Sequence, residues 1–158
     1  MHIREEYFER ASRLVNGFFY TFEYYPRHPK ELYDKNPFIF CIGPVEGQDN
    51  LFTAINLHHV TVKERELLIK YMQMQYGILD DDTQHLVSEE SLNRLVPGIL
   101  FGLRVYNMKN MYNLIRVKNQ AVPLFIYGQG NIFLGTPDDK YIKYMINSGI
   151  YKDSKNLQ

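Results

Sequence analysis

The sequence is poor in the features that mark secreted, zinc-binding or membrane-spanning proteins. It has one cysteine, Cys41, so no disulfide can form within the chain and no cysteine-based zinc site is possible. No apolar run approaches the roughly 18 residues that a transmembrane helix needs. Residues 1–15 alternate charged and apolar side chains and lack the apolar centre of a signal peptide. These absences favour a reducing, cytosolic setting without a membrane partner.

The chain also lacks a net charge, with 18 basic and 18 acidic side chains. This balance argues against a protein devoted to coating nucleic acid. The charges are nevertheless separated along the sequence. Residues 46–90 carry nine acidic and three basic side chains, whereas residues 91–137 carry five basic side chains and no acidic one. The asymmetry allows a local basic face, or an acidic face that meets a basic one on another subunit.

Runs of aromatic and β-branched residues predict the strands of one domain. At 158 residues the chain is long enough to bury a normal core. The second and third predicted strands are expected to form a hairpin with a longer loop. Residues 107–117 are ambiguous, and we favour a helical turn there. The predicted strands cover residues 18–25, 38–43, 51–57 and 98–106, and a further hairpin covers 122–128 and 131–135.

Capping residues and helix-stopping residues predict three helices, and apolar spacing predicts a fourth over residues 3–15. The expected fold class is α+β, with a central, mostly antiparallel sheet or small β-barrel flanked by helices. A single domain is expected over residues 1–150, followed by a flexible tail at 151–158. The three capped helices start at Thr61 with Glu64, at Ser88, and at Thr136 with Pro137, and end at Gly77, Pro97 and Gly149.

Two adjacent histidines, His58 and His59, are the first candidates for a chemical site. They follow the strand predicted over residues 51–57, where neighbouring side chains point to opposite faces, so they are not expected to line one pocket together. Asn56 and His58 share a strand face, and hydrogen bonding to nearby backbone is the ordinary use of such a pair. The sequence therefore predicts a framework role for them.

Other motifs that carry chemistry are not found. The acidic run from Asp80 to His85 lacks the glycine and the glutamate of an EF-hand loop. Cys41 lies in an apolar strand, where a buried, inert thiol is expected. The sequence has no nucleophile elbow, no Walker A motif and no dinucleotide fingerprint. We therefore predict no catalytic residue, no metal site and no cofactor, and a protein that is not an enzyme.

A basic segment remains as the candidate binding region. It interleaves cations with aromatic and amide side chains, a mixture that can hold phosphates and stack bases. The same mixture suits an ordinary protein interface, because arginine and tyrosine are enriched there. The residues predicted to bind nucleic acid or a protein partner are Arg104, Tyr106, Lys109, Tyr112, Arg116 and Lys118.

Several stretches together resemble a family of small, poorly characterised proteins from tailed bacteriophages. The shared pattern is an aromatic strand followed by proline, a Tyr-Asp and proline step, and an Asn-Leu-His strand end before a helix. The resemblance covers roughly residues 18–135, and it implies a phage origin and a non-enzymatic role. The residues that carry it as a framework motif are Tyr24, Pro26, Tyr33, Asp34, Pro37, Asn56, Leu57, His58, Arg104 and Asn107.

Three functional hypotheses follow from these observations. The first is a phage protein that acts through protein–protein contacts, in or on the virion, with other phage proteins or itself as partner. The second is a nucleic-acid-binding accessory factor that uses residues 104–118. The third is an inhibitor of a host protein, whose acidic segment mimics nucleic acid. The expected location is the virion or the host cytoplasm.

Overall fold

The computed structural model of the chain describes residues 8–25, 35–76 and 83–123. Within these ranges the predicted α+β fold is confirmed, because one antiparallel sheet is flanked by helices. The strands are β1 (Phe8–Arg10), β2 (Phe19–Tyr24), β3 (Phe38–Val45), β4 (Gln48–Asn56), β5 (Leu103–Asn107) and β6 (Met111–Val117). The helices are α1 (Val62–Tyr76) and α2 (Glu89–Leu95).

The sheet is strongly curled. Its strand order is β1-β6-β2-β3-β4-β5, and each pair of neighbouring strands is antiparallel. In a flat sheet, β5 and β6 would lie roughly 19 Å apart, because four strand spacings separate them. Yet only the 3₁₀ turn Met108–Asn110 connects them, and three residues of such a turn span roughly 6 Å. The sheet therefore bends until β5 and β6 approach, although no ladder closes it within the described residues.

The concave face of the curled sheet holds a cluster of aromatic rings. Tyr24 of β2 and Tyr106 of β5 meet edge to face with their ring centroids 5.1 Å apart, although β3 and β4 lie between their strands. Phe22 contacts Tyr106 in the same way at 5.5 Å. Tyr24 also accepts a hydrogen bond at its hydroxyl oxygen from the Asn107 backbone N–H, at 3.1 Å. These contacts across the concavity hold the two ends of the sheet together.

The convex face is covered by the helices. Phe19, Phe40 and Ile55 project from three neighbouring strands and are fully buried. Leu68, Ile69 and Met72 of α1 and Leu92 of α2 belong to the same apolar cluster. The buried positions of α1 recur at the spacing of one helix face, as expected for a helix that packs on a sheet.

Both predicted helix starts in the described part are confirmed. The Thr61 N–H donates to Glu64 Oε2 at 2.8 Å, and the Glu64 N–H donates to Thr61 Oγ1 at 3.3 Å. This reciprocal pair is the predicted capping box. The Ser88 hydroxyl accepts from the Ser91 N–H at 3.1 Å and starts α2, which ends at Leu95, before Pro97.

The N-terminal helix was predicted wrongly for the described residues. Residues 8–10 form strand β1, which pairs with β6 from Phe8↔Val117 to Arg10↔Ile115, and residues 11–15 are not helical. The backbone hydrogen bonds of residues 8–10 are made with β6, which is distant in sequence. The helical spacing of apolar residues could not reveal this pairing. Gly17 has φ +89° and lets residues 84 and 85 pass close to its backbone.

Three further predictions are corrected in detail. Residues 111–117 form strand β6, and only Met108–Asn110 makes the expected turn, because β6 fills the place between β1 and β2. The loop of the β3–β4 hairpin is short, since Val45 pairs directly with Gln48. Of the strand predicted over 98–106, residues 99–102 form a 3₁₀ turn that precedes β5.

Several predictions lie outside the described residues. These are the hairpin beyond residue 123, the helix at Thr136, the tail, the acidic residues 80–82, and the motif positions Pro26, Tyr33 and Asp34. Among the helices that are described, none is long and apolar enough to cross a membrane.

Candidate functional site

His58 and His59 lie in a 3₁₀ turn, Leu57–His59, between β4 and α1. The strand geometry that we expected there is wrong, because the chain leaves the sheet at Asn56. The Asn56 side-chain oxygen accepts from the His58 backbone N–H at 3.0 Å and caps the turn. All three side chains are buried. Asn56 thus binds the backbone of its own turn, and its framework role stays a prediction.

A buried arginine holds this turn against β5. The Arg104 guanidinium donates to the Leu103 and Phe101 carbonyl oxygens, at 2.8 and 3.1 Å. Its Nη2 lies 2.9 Å from Nδ1 of His59. A guanidinium has only donors, so Nδ1 must be the acceptor and carries no proton. Arg104 is 4% exposed, so it joins β5 to the His59 turn and does not present a surface charge.

A second buried arginine binds the other end of the same turn. Arg65 of α1 is 1% exposed, and its Nε and Nη2 donate to the Val60 carbonyl oxygen at 3.2 and 3.0 Å. Arginine is almost never buried without such hydrogen bonds, because its charge must be compensated. The polar residues around residues 56–65 are therefore used to connect β4, α1 and β5.

The basic segment does not form one surface, because two of its six candidate residues are buried and the other four are divided between the two ends of β6. Arg104 and Tyr106 are buried at 4% and 5% exposure. Of the other four residues, one lies in the Met108–Asn110 turn and three lie on or just after β6. The strand order places three strands between β6 and β5. Lys109 and Tyr112 lie near the start of β6, and Arg116 and Lys118 near its end.

At the start of β6, two tyrosines form an exposed patch. Tyr25 and Tyr112 are 42% and 54% exposed and meet edge to face at 5.5 Å between centroids. The Lys35 ammonium lies 5.5 Å from the Tyr25 ring centroid, and the Tyr25 hydroxyl donates to Glu23 Oε2 at 3.1 Å. We call Glu23, Tyr25, Lys35 and Tyr112 the tyrosine patch.

A β-bulge places Tyr112 in this patch. The register of the β2–β6 ladder shifts between Thr21 and Glu23, where Asn113 has a φ of 55°. Asparagine is among the few residues that tolerate this left-handed conformation. Because of the shift, Tyr112 lies opposite Glu23 whereas Arg116 lies opposite Tyr20, so the two β6 side chains project from different faces.

At the end of β6, three arginines surround an open depression of about 350 Å³. The Arg116 guanidinium carbon lies 4.8 Å from the Phe18 ring centroid. Its Nη2 and Nε donate to Glu9 Oε2 at 3.1 and 3.3 Å. Arg10 and Arg13 are exposed. We call this the arginine depression, and its lining includes Glu9, Arg10, Arg13, Phe18, Tyr20 and Arg116.

Sequence reasoning missed Arg10, Arg13, Tyr25 and Lys35 as candidates. Arg10 and Arg13 were assigned to a predicted helix, and only the pairing of β1 with β6 places them beside Arg116. The strand Phe8–Arg10 is three residues long, which is too short for alternation to identify it from sequence. Tyr25 and Lys35 meet because the chain returns to β2 before β3, since the Tyr24 N–H donates to the Lys35 carbonyl oxygen at 2.8 Å.

The thiol and the tyrosine hydroxyls of the concave core are unreactive by burial. Cys41 is buried, as predicted, and burial raises the pKa of its thiol to about 12. Burial likewise raises the pKa of Tyr24, against the opposing effect of the hydrogen bond from Asn107. Among the described residues, no three histidine, cysteine or carboxylate side chains come together in a way that would hold a metal ion.

Comparison with known proteins adds no relative to this picture. No protein-family description matches the chain, and neither the curated proteins nor the solved structures include a significantly similar one. The resemblance to phage proteins therefore stays a prediction from the sequence, and the function is argued from the two surfaces at the ends of β6.

Proposed function

We propose that this chain is a non-enzymatic bacteriophage protein that acts through protein–protein contacts, as a structural or virion-associated component. The observation that carries the proposal is the tyrosine patch. Tyr25 and Tyr112 keep about half of their surface exposed although the neighbouring Tyr24 and Tyr106 are buried. The phage setting rests on the sequence resemblance, and the contact mode rests on the patch.

The composition of the patch suits a protein partner. Tyrosine supplies a large, stiff contact area at low entropic cost and is enriched where proteins meet. Here the two rings already support each other edge to face, so little side-chain freedom is left to lose on binding. Lys35 and Glu23 give the rings a polar border of both charges, which is the arrangement of an apolar centre with a polar rim.

The buried polar groups support a non-enzymatic role. His58 and His59 were the first candidates for a chemical site in the sequence, yet Asn56 caps their turn and Arg104 connects that turn to β5 through His59. The Cys41 thiol is buried with a raised pKa, whereas a nucleophilic cysteine needs a lowered one.

The test compares assembly of the wild-type chain with that of a patch variant. In the Tyr25→Ser, Tyr112→Ser double variant, both rings are lost from exposed positions, so the fold is expected to stay intact. Each chain is supplied during infection and its amount in purified particles is measured by mass spectrometry, while sedimentation velocity measures self-association. We expect the double variant to show a loss of about tenfold or more either in its amount in particles or in its self-association, because exposed tyrosines are frequent interface hot spots.

Met74→Ser is the matched control, since Met74 is 78% exposed on α1, outside the patch. It should enter particles and self-associate like the wild type. If the wild-type chain neither enters particles nor self-associates, the proposal is lost. If the double variant behaves like Met74→Ser, the contact surface is not the tyrosine patch.

A further inference from the structure

We propose that the arginine depression binds a phosphate group carried by a nucleotide, either free or within a single strand of nucleic acid. This inference is independent of the protein-contact role and uses other residues on the opposite face of the sheet. Three arginines and one carboxylate, Glu9, lie in the lining. The site is therefore cationic in a chain that has no net charge, which favours an anionic ligand.

Arg116 is the anchor of the site because the fold already holds its side chain in place. It projects from β6, its guanidinium packs on the Phe18 ring at 4.8 Å, and only 14% of the side chain is exposed. An arginine that is fixed before binding loses little conformational entropy when a ligand arrives. Its planar fork of N–H donors matches the oxygens of a phosphate.

Glu9 shows where a ligand oxygen would lie. One of its oxygens accepts from both Nη2 and Nε of Arg116, at 3.1 and 3.3 Å, so a carboxylate oxygen stands where a phosphate oxygen would bind. The Glu9 side chain is 57% exposed, and ion pairs of this kind contribute little free energy. A phosphate can therefore displace Glu9 at small cost.

Arg10 and Arg13 supply the remaining charge. Both side chains are exposed, and within the described residues neither forms an ion pair with a carboxylate. Both residues line the depression together with Arg116, so more than one cation lies near a bound anion. The volume of about 350 Å³ lies at the lower end of the range for small-ligand pockets, which suits one nucleotide-sized group and leaves a strand free to continue outside.

The experiment measures binding of a fluorescein-labelled oligothymidylate by anisotropy at several salt concentrations. We expect binding that weakens as salt rises, with a slope that falls by about 0.7 in Arg116→Met and in Arg13→Met, the value for one lost contact to a single strand. Each variant should lose about tenfold or more in affinity at low salt. Glu9→Gln should bind several-fold more tightly, because it removes the competing carboxylate.

The matched control is Arg94→Met, which removes an exposed arginine of α2 that does not line the depression. Its affinity should equal that of the wild type. Arg116→Lys keeps the charge but not the fork, so it should recover only part of the loss. Thermal unfolding of each variant shows whether the fold is retained. Arg13 is exposed outside any helix or strand, so Arg13→Met tests the site without a change in β6.

Competing ligands separate the two sources of phosphate and test the alternative class. If thymidine monophosphate competes at concentrations similar to those of the unlabelled oligonucleotide, the site binds free nucleotides. If only longer strands compete, the site binds nucleic acid. The proposal is overturned if Arg116→Met and Arg94→Met bind alike, if Glu9→Gln weakens binding, or if a poly-glutamate peptide competes as strongly as the oligonucleotide, which would indicate an acidic protein partner.

Discussion

Arg104 and Arg116 lie on consecutive strands of one basic segment and both project to the concave side of the sheet, yet the fold uses them in opposite ways. Arg104 is 4% exposed and donates to two backbone carbonyls and to His59. Arg116 lies at the rim, pairs with the half-exposed Glu9, and has two further arginines beside it. The difference comes from the strand order, which places β5 at one edge of the sheet and β6 next to the other.

The comparison suggests that charge near β5 serves stability and charge near the end of β6 serves binding. This distinction is tested most directly by replacing each arginine with alanine. Arg104→Ala should lower the free energy of unfolding by about 3 kcal/mol, because it leaves a cavity and unpaired polar groups in the core. Arg116→Ala should cost below about 1 kcal/mol, since its partner is exposed. Urea denaturation measures both, and equal losses would contradict the distinction.

A buried histidine before α2, whose partner Asn119 follows β6, tests whether the region near the end of β6 also contains a stability site. His85 is 1% exposed, and burial lowers its pKa below 6.5. The Asn119 amide lies 3.4 Å from its Nε2 and also donates to the Thr83 carbonyl oxygen at 2.8 Å. The folded protein therefore favours neutral His85.

The sign of the pH effect follows from the lowered pKa. Above pH 6.5 the histidine is neutral in both states, and the stabilising contribution is fully present. As the pH falls below 6.5, the unfolded chain binds a proton that the folded chain resists, so the free energy of unfolding decreases until the lower, folded pKa is passed. We expect a decrease smaller than the effect of Arg104→Ala. In His85→Gln this part of the pH dependence should disappear, and an unchanged slope would contradict the assignment.

The capping box at Thr61 tests a smaller contribution to stability next to the turn that Arg104 binds. Thr61 follows the turn to which Arg104 and Arg65 bind, and it starts α1. Thr61→Ala should therefore lower the free energy of unfolding by about 1 kcal/mol, the usual cost of a lost N-cap. Thr61→Ser is the control, because it keeps the capping oxygen and should retain most of the stability.

The smallest effect is expected for the ion pair on the Arg116 side. Glu9→Gln should change the free energy of unfolding by less than about 1 kcal/mol, and the change should shrink further at high salt, because the Glu9 side chain is 57% exposed and its charge is screened. A loss as large as that of Thr61→Ala would show that Glu9 and Arg116 stabilise the fold, and the contrast with Arg104 would then be weaker than we infer.

Local signals were predicted well because their partners lie close in sequence. The capping box at Thr61 and the Ser88 cap involve residues three positions apart, and strands β2, β3 and β4 each contain an aromatic or apolar run. The α+β class followed from the same signals. Cys41 was correctly expected in the core, because a thiol in an apolar strand is buried whichever strands lie beside it.

The two wrongly predicted strands depend on partners distant in sequence. Residues 8–10 and 111–117 have weak local preferences and become strands because they pair with each other and with β2. The candidate site was misplaced for the same reason. The spacing of Arg104, Tyr106, Arg116 and Lys118 along the chain says nothing of the curl that buries the first two, nor of the β1–β6 ladder that brings Arg10 and Arg13 to Arg116.

The sequence by itself determined the fold class, the two described helix starts and the central strands, since short-range hydrogen bonds and apolar runs specify each of these. Only the tertiary structure decided which charges are buried and which face solvent. That choice depends on the strand order and on the bend of the sheet, and both arise from contacts between residues far apart in the chain.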